Sequence, residues 1–210
     1  MRRVRIIPVL LLDNDFLVKS TKFRNLKYVG DPINAVKIFN EKEVDEIVVL
    51  DINATKESRN PNIELINNIS SEAFMPFSYG GGIKNIDQAR EILFNGAEKV
   101  ILNYSAFTNT NLISEISEQF GCQSVVVSID VKKDWLGRYR VYVLNGKKKI
   151  SVSLIDYVKN IENLGAGEII LCSIDKDGTF SGYDLDLIKM VSDKVNIPIV
   201  ALGGASKISD

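Results

Sequence analysis

The 210 residues contain no histidine, which excludes imidazole bases, imidazole metal ligands and His-based triads and leaves acid–base work to Asp, Glu, Lys, Tyr or Cys. The most suggestive carboxylate is Asp130, closing the apolar run Val125-Val126-Val127-Ser128-Ile129. A carboxyl at the rim of such a run loses solvation, and its pKa rises toward a general acid–base role; the plainer alternative is a cap or loop anchor. Asp51 closes an equally apolar run, Ile47-Val48-Val49-Leu50, and is as well suited to tying loops together. Two glycine pairs, Gly81-Gly82 and Gly203-Gly204, follow further apolar runs. Such turns let backbone N–H groups and a helix N-terminus meet a phosphate, or simply supply backbone freedom. Asn103, Asp175 and Asp177-Gly178 stand at other run ends, and Lys19 lies in what reads as a long first loop, able to close over an anionic substrate.

The elements that must position these groups follow from hydrophobic period. Short Val/Ile/Leu-rich runs alternate with helix-period segments, the mark of βα units around a parallel sheet. Strands are expected near 4–11, 46–52, 76–80, 98–103, 124–130, 168–174 and 197–202. Helices are expected over Pro32 to Asn40, after an Asp31-Pro32 start, and near 60–71, 86–95, 110–119, 153–164 and 184–193. Arg138 to Leu144, Asn145-Gly146 and Lys147 to Val152 read as a hairpin with a type I′ turn.

The chain also matches itself at a constant offset of 122: Glu46 with Glu168, Leu65 with Leu187, Pro76 with Pro198, Gly81 with Gly203 and Gly82 with Gly204. Repeated βα units in two copies, 1–122 and 123–210, predict a single-domain α/β protein, a (βα)8 TIM barrel built from two half-barrel repeats. The counterpart of strand 98–103 would fall near 220–225, so the eighth βα unit is expected to be missing from this sequence and the domain truncated. In such barrels the site lies at the strand C-terminal ends. Two glycine turns half a barrel apart then suggest a long substrate with a phosphate at each end.

Lys+Arg number 26 against 27 Asp+Glu, which gives no basic field for nucleic acid. Nothing reaches the length of apolar sequence that spans a membrane. Cys122 and Cys172 have no metal or redox spacing and read as buried thiols of a cytoplasmic protein. No cofactor and no metal are expected.

The segments Arg5-Ile6-Ile7-Pro8, Val18-Lys19, Gly30-Asp31-Pro32, Asp45-Glu46, Leu50-Asp51-Ile52, Gly80-Gly81-Gly82-Ile83, Ser173-Ile174-Asp175-Lys176-Asp177-Gly178-Thr179, Ser181-Gly182-Tyr183-Asp184 and Gly203-Gly204-Ala205 resemble, over the whole chain, the cyclase subunits of imidazole glycerol phosphate synthase, a histidine-biosynthesis barrel family. The resemblance implies a glutaminase subunit docked at the strand N-terminal face, and ammonia passing up the barrel to a doubly phosphorylated substrate. It implies Asp130 and Lys19 as catalytic residues, Gly81, Gly82, Asn103, Asp177, Gly178, Gly203 and Gly204 as substrate and phosphate ligands, and Arg5, Glu46, Lys99 and Glu168 as a charged ammonia gate. The chain departs from the family where the first strand should end in a catalytic Asp: Leu11 stands there. Tyr104 also replaces the Thr that follows Asn103 in the family.

Ile7-Pro8-Val9-Leu10-Leu11 and Lys27 through Asn40 resemble more closely a branch found with surface-polysaccharide genes, in which a cyclase-like subunit, a glutaminase-like subunit and an amidotransferase install an acetamidino group on a sugar. Three readings follow: an ammonia-channelling synthase subunit acting on a sugar, an authentic cyclase of histidine biosynthesis, and a non-catalytic conduit that activates a glutaminase.

Overall fold

A computed structural model of the chain describes residues 4–207 and 210. They divide into two compact units. One holds the N-terminal stretch up to Lys19 and Lys27–Ile101; the other holds Leu102–Asp210 together with Ser20–Leu26.

In the first unit, β1 (Val9–Asp13), β2 (Phe16–Thr21) and β3 (Arg24–Gly30) precede α1 (Pro32–Glu41), β4 (Ile47–Asp51), α2 (Ile63–Glu72), β5 (Phe77–Gly80), α3 (Ile86–Phe94) and β6 (Lys99–Leu102). The strand order is β6-β5-β4-β1-β2-β3, parallel from β6 to β1 and antiparallel between β1 and β2. β4 and β5 are almost wholly buried, as continuous apolar strands of a parallel sheet must be. Each helix begins where a short polar side chain accepts an otherwise orphaned N–H: Asp31 from Asn34, Asn62 from Leu65 and Asn85 from Gln88.

The second unit runs α4 (Tyr104–Thr108), α5 (Asn111–Phe120), β7 (Val125–Lys133), β8 (Tyr139–Val143), β9 (Lys148–Lys149), α6 (Leu154–Asn163), β10 (Glu168–Ser173), α7 (Leu185–Ser192) and β11 (Ile199–Leu202). Its order is β11-β10-β7-β8-β9, parallel across the first three and antiparallel thereafter. Asn145 and Gly146 have φ of 57° and 70°, and Lys147 N–H donates to the Leu144 carbonyl at 3.2 Å, which makes the expected type I′ turn.

The repeat is visible element by element. Adding 122 to α1 gives the bounds of α6, and adding it to β5 gives those of β11. The chain is thus α/β, with seven α-helices and mixed, mainly parallel sheet pairing among the described residues. No helix among them is long and apolar enough to cross a membrane.

Three expectations need correction. The first strand begins at Val9, not at residue 4, because Ile6 N–H is taken by the Asp45 carboxylate at 2.8 Å and pairing with β4 starts only at the Pro8 carbonyl. The long first loop is the β2–β3 ribbon, so Lys19 is a strand residue. It was hidden because its tight turn is Lys22-Phe23, both at positive φ (53° and 59°), without the Asn or Gly that marks such turns. Cys122 is exposed in a 3₁₀ turn between α5 and β7, while Cys172 is buried in β10.

Candidate functional site

Asp130 lies in β7, six residues into a strand that stays buried from Val125 to Val131. Only 8% of it is exposed. Burial raises its pKa to about 7, with the Asp177 charge adding to the rise and a hydrogen bond from Asn103 opposing it. That bond, Asn103 Nδ2 to Asp130 Oδ2 at 3.1 Å, is shared with the Ser128 carbonyl at 3.0 Å. Asn103 sits at the N-cap position of α4 but gives that helix no side-chain cap, because its amide is turned onto the Asp130 strand. A carboxyl half-ionised near neutral pH and held by one amide donor can both give and take a proton. Cys172 stands directly opposite Asp130 on β10; burial pushes its thiol pKa well up, helped by the Asp130 and Asp177 charges, so it stays a neutral thiol.

The first unit identifies the counterpart of Asp130 by geometry alone. Leu11 pairs with Leu50 on β4, Asp130 pairs with Cys172 on β10, and Leu50 and Cys172 are 122 residues apart. Leu11 therefore occupies on β1, relative to β4, the place that Asp130 holds on β7 relative to β10. Asp13 is the last residue of β1, on the Leu11 face. Its Oδ1 accepts from Asn53 Nδ2 at 2.7 Å and from Asn14 Nδ2 at 3.2 Å.

Asp177 and Gly178 clasp the tip of the β2–β3 ribbon. Asp177 Oδ2 accepts from Ser20 Oγ at 2.8 Å and from Phe23 N–H at 3.3 Å, and its carbonyl accepts from Lys22 N–H at 2.9 Å. A Cβ on Gly178, whose φ is +65°, would lie 2.2 Å from the Ser20 carbonyl oxygen, so only glycine fits. Lys19 is exposed in β2.

The two glycine turns share one architecture. A Cβ on Gly81 would strike the Asp51 carbonyl at 2.5 Å, and one on Gly203 would strike the Ser173 carbonyl at 2.7 Å; Asp51 and Ser173 end the repeat-related strands β4 and β10. Gly82 N–H donates to Thr55 Oγ1 at 3.3 Å. Asp51 itself is a loop anchor. It accepts from Asn53 and Ala54 N–H and receives Arg59 at 2.8 and 3.1 Å, bonds that together with Glu57 hold the guanidinium pKa well above its usual range. The Arg59 partner carried no motif in the sequence.

At the start of β4's apolar run, Glu46 is 4% exposed. It receives Arg5 Nη1 at 2.9 Å, Lys99 Nζ at 2.8 Å and Ser78 Oγ at 2.6 Å. Two cations and a hydroxyl satisfy a carboxylate that burial would otherwise penalise. Glu168, at the first position of β10, is likewise buried. Among the described residues, no group of three His, Cys, Asp or Glu could hold a metal ion.

A family model described as "Histidine biosynthesis protein" matches residues 5–210. Similar proteins include "Putative imidazole glycerol phosphate synthase subunit HisF" of Leptospira borgpetersenii, 52% identical over 209 residues, or 99% of this chain and 82% of that protein. A Vibrio vulnificus protein with the same name but the suffix hisF3 is 49% identical over 211 residues, 100% of this chain and 81% of its own. "Imidazole glycerol phosphate synthase subunit HisF" of Alkaliphilus metalliredigens is 43% identical over 206 residues, 98% of this chain and 82% of its own.

Proposed function

The chain belongs to the histidine biosynthesis protein family, and from that premise we propose that it is the synthase subunit of a glutamine amidotransferase of the imidazole glycerol phosphate synthase type. It takes ammonia from a separate glutaminase subunit and joins it to a phosphorylated acceptor. The observation that carries this reading is Asp130: buried, near neutrality in pKa, and steered by Asn103. Attack of ammonia on a carbonyl carbon leaves a proton on nitrogen and needs one on the departing oxygen. A carboxyl with a pKa of about 7 serves both transfers at the pH of the reaction. This reading takes Gly81, Gly82, Asn103, Asp177, Gly178, Gly203 and Gly204 as ligands of the acceptor and its phosphates, and Lys19 as a second catalytic residue. The eight-stranded barrel expected from the repeat belongs to this reading. So does the role of Arg5, Glu46, Lys99 and Glu168 as the charged ammonia gate, and so does a glutaminase docked at the strand N-terminal face.

A second reading is favoured by one residue. Leu11 stands where the family keeps a catalytic carboxylate, and leucine moves no proton; loss of one member of an acid–base pair removes roughly 10²- to 10⁴-fold in rate. Under this reading the scaffold serves another acceptor, a sugar that receives an acetamidino nitrogen. The non-catalytic conduit is a third, with no observation in its favour.

The deciding experiment is an ammonium-dependent cyclase assay with the doubly phosphorylated ribulosyl substrate of the histidine pathway, run on the chain and on Leu11→Asp. Turnover by the unaltered chain, lost in Asp130→Asn, establishes the cyclase. Silence rescued by Leu11→Asp moves the chain to another acceptor. If the assembled complex keeps full activity with Asp130→Asn, the conduit is correct.

A further inference from the structure

Between Val131 and Val152 stand seven Lys and Arg against one acid, Asp134, a net of +6 within a chain of net −1, so the remaining residues sum to −7. This segment is the β7–β8–β9 ribbon that rises from the strand carrying Asp130. Cross-strand partners share a face of a sheet. Asp130 is opposite Tyr142, which is opposite Lys149, and Lys132 is opposite Arg140. The face that carries Asp130 therefore also carries Lys132, about 6–7 Å further along the strand, and Lys149, about 10 Å across it.

Two cations set directly opposite each other on neighbouring strands destabilise a ribbon, and Lys132 and Arg140 are set that way. Asp134 bonds Arg140 Nε at 2.9 Å and Arg138 Nε at 3.1 Å, which leaves it committed. On the other face, Lys133 is already placed over the Tyr139 ring at 4.8 Å, and Tyr139 donates to Asp184 at 2.7 Å. Nor does the fold demand cations here. In the first two strands of the first unit's ribbon the equivalent face carries Leu11, Asp13, Phe16 and Val18, with no positive charge opposite another.

We propose that the Asp130 face of this ribbon is an anion subsite, in which Lys132 and Lys149, with Tyr142 between them, receive a phosphate or diphosphate carried by the acceptor. It rests on the reading of Asp130 as the acid–base group of an acceptor site and, because the glycine turns would already take both phosphates of the ribulosyl substrate, it belongs with the second reading, in which the acceptor is another compound carrying a further anionic group.

Trp135 is the chain's single tryptophan, 89% exposed in the β7–β8 turn, and so reports on this ribbon. The full chain is titrated with inorganic pyrophosphate, followed by Trp135 fluorescence and by calorimetry. Saturable binding is expected, weakened at least about tenfold in Lys132→Ala/Lys149→Ala and changed less than about twofold in Lys133→Ala/Lys148→Ala, the same charge removed from the other face. Absence of calorimetric binding overturns the subsite, and so does equal weakening by both pairs, which would mean a diffuse charge effect. Circular dichroism of each variant establishes that it is folded. Binding requires no turnover, so a silent ammonium assay and a missing subsite remain separate failures.

Discussion

The strands β1 and β7, one in each unit, pair in equivalent register with β4 and β10, yet the two have opposite chemistry. In the second unit that strand carries a buried carboxyl, Asp130, steered by Asn103 and continued by a cationic ribbon. In the first it carries Leu11, continued by Val18 and by an exposed Phe16 whose ring meets Tyr28 edge-on at 5.8 Å. Backbone register is thus kept where side-chain function is not. What the repeat shares is the pairing that builds the sheet; a side chain on a strand can differ because it leaves the sheet's backbone hydrogen bonds untouched.

The largest expected break in this comparison is at Asp130. Asp130→Asn preserves shape and removes the proton carrier, and should cut ammonium-dependent turnover by about 10²- to 10⁴-fold in a steady-state assay on whichever acceptor is used. The same variant should be more stable. The folded carboxyl holds its proton to a pH of about 7 against an ordinary value of 3.8, so the folded state binds more protons than the unfolded one between those pH values. Stability therefore declines as pH rises through that window and the loss is complete above it. Asp130→Asn escapes it, with a gain of up to about 4 kcal/mol at pH 8 and none below pH 4, as denaturant melts at the two pH values would record.

Leu11→Asp makes the two strands alike. A carboxylate placed at a half-buried leucine should cost about 1–3 kcal/mol at pH 8, and less at pH 4, where it is protonated. If instead the variant is as stable as its parent at pH 8, solvent or a cation already serves that position.

A loss of similar size, about 1–3 kcal/mol, is expected for Asp177→Ala, which strips acceptors from Ser20 and Phe23 and leaves a part-buried N–H without its partner. Hydrogen exchange should accelerate at Lys22 and Phe23 before any other amide of the second unit. Unchanged exchange there would mean that the ribbon tip is held by its own strands.

The legible parts of this molecule were those with a periodic or local signal. The 122-residue offset signalled the repeat that the matching bounds of α1 and α6, and of β5 and β11, display, because buried parallel strands and their helices repeat in hydrophobic pattern. Asn145-Gly146 announced its turn. Asp130 was legible as a carboxylate closing an apolar run, but not Asn103 as its donor, since a contact across 27 residues leaves no trace in spacing. Arg59 on Asp51 was hidden for the same reason. The β2–β3 ribbon escaped because its turn is held from outside, by Asp177, rather than by the residues in it.

That last difference yields the smallest prediction. The β8–β9 turn uses Asn145 and Gly146, which tolerate positive φ, whereas the β2–β3 turn asks it of Lys22 and Phe23, at 53° and 59°. A bulky residue there is strained by roughly 1 kcal/mol. Lys22→Asn with Phe23→Gly keeps both N–H groups that donate to Asp177 and relieves that strain, against an entropic cost of the added glycine of about 0.5–1 kcal/mol. The double variant should therefore melt at or slightly above the parent. In an Asp177→Ala background it should recover part of the lost stability, because a turn with its own conformational preference no longer depends on the clasp. If the pair melts well below the parent, the Phe23 ring rather than the backbone is what fastens the tip, and the two ribbons differ in packing rather than in turn chemistry.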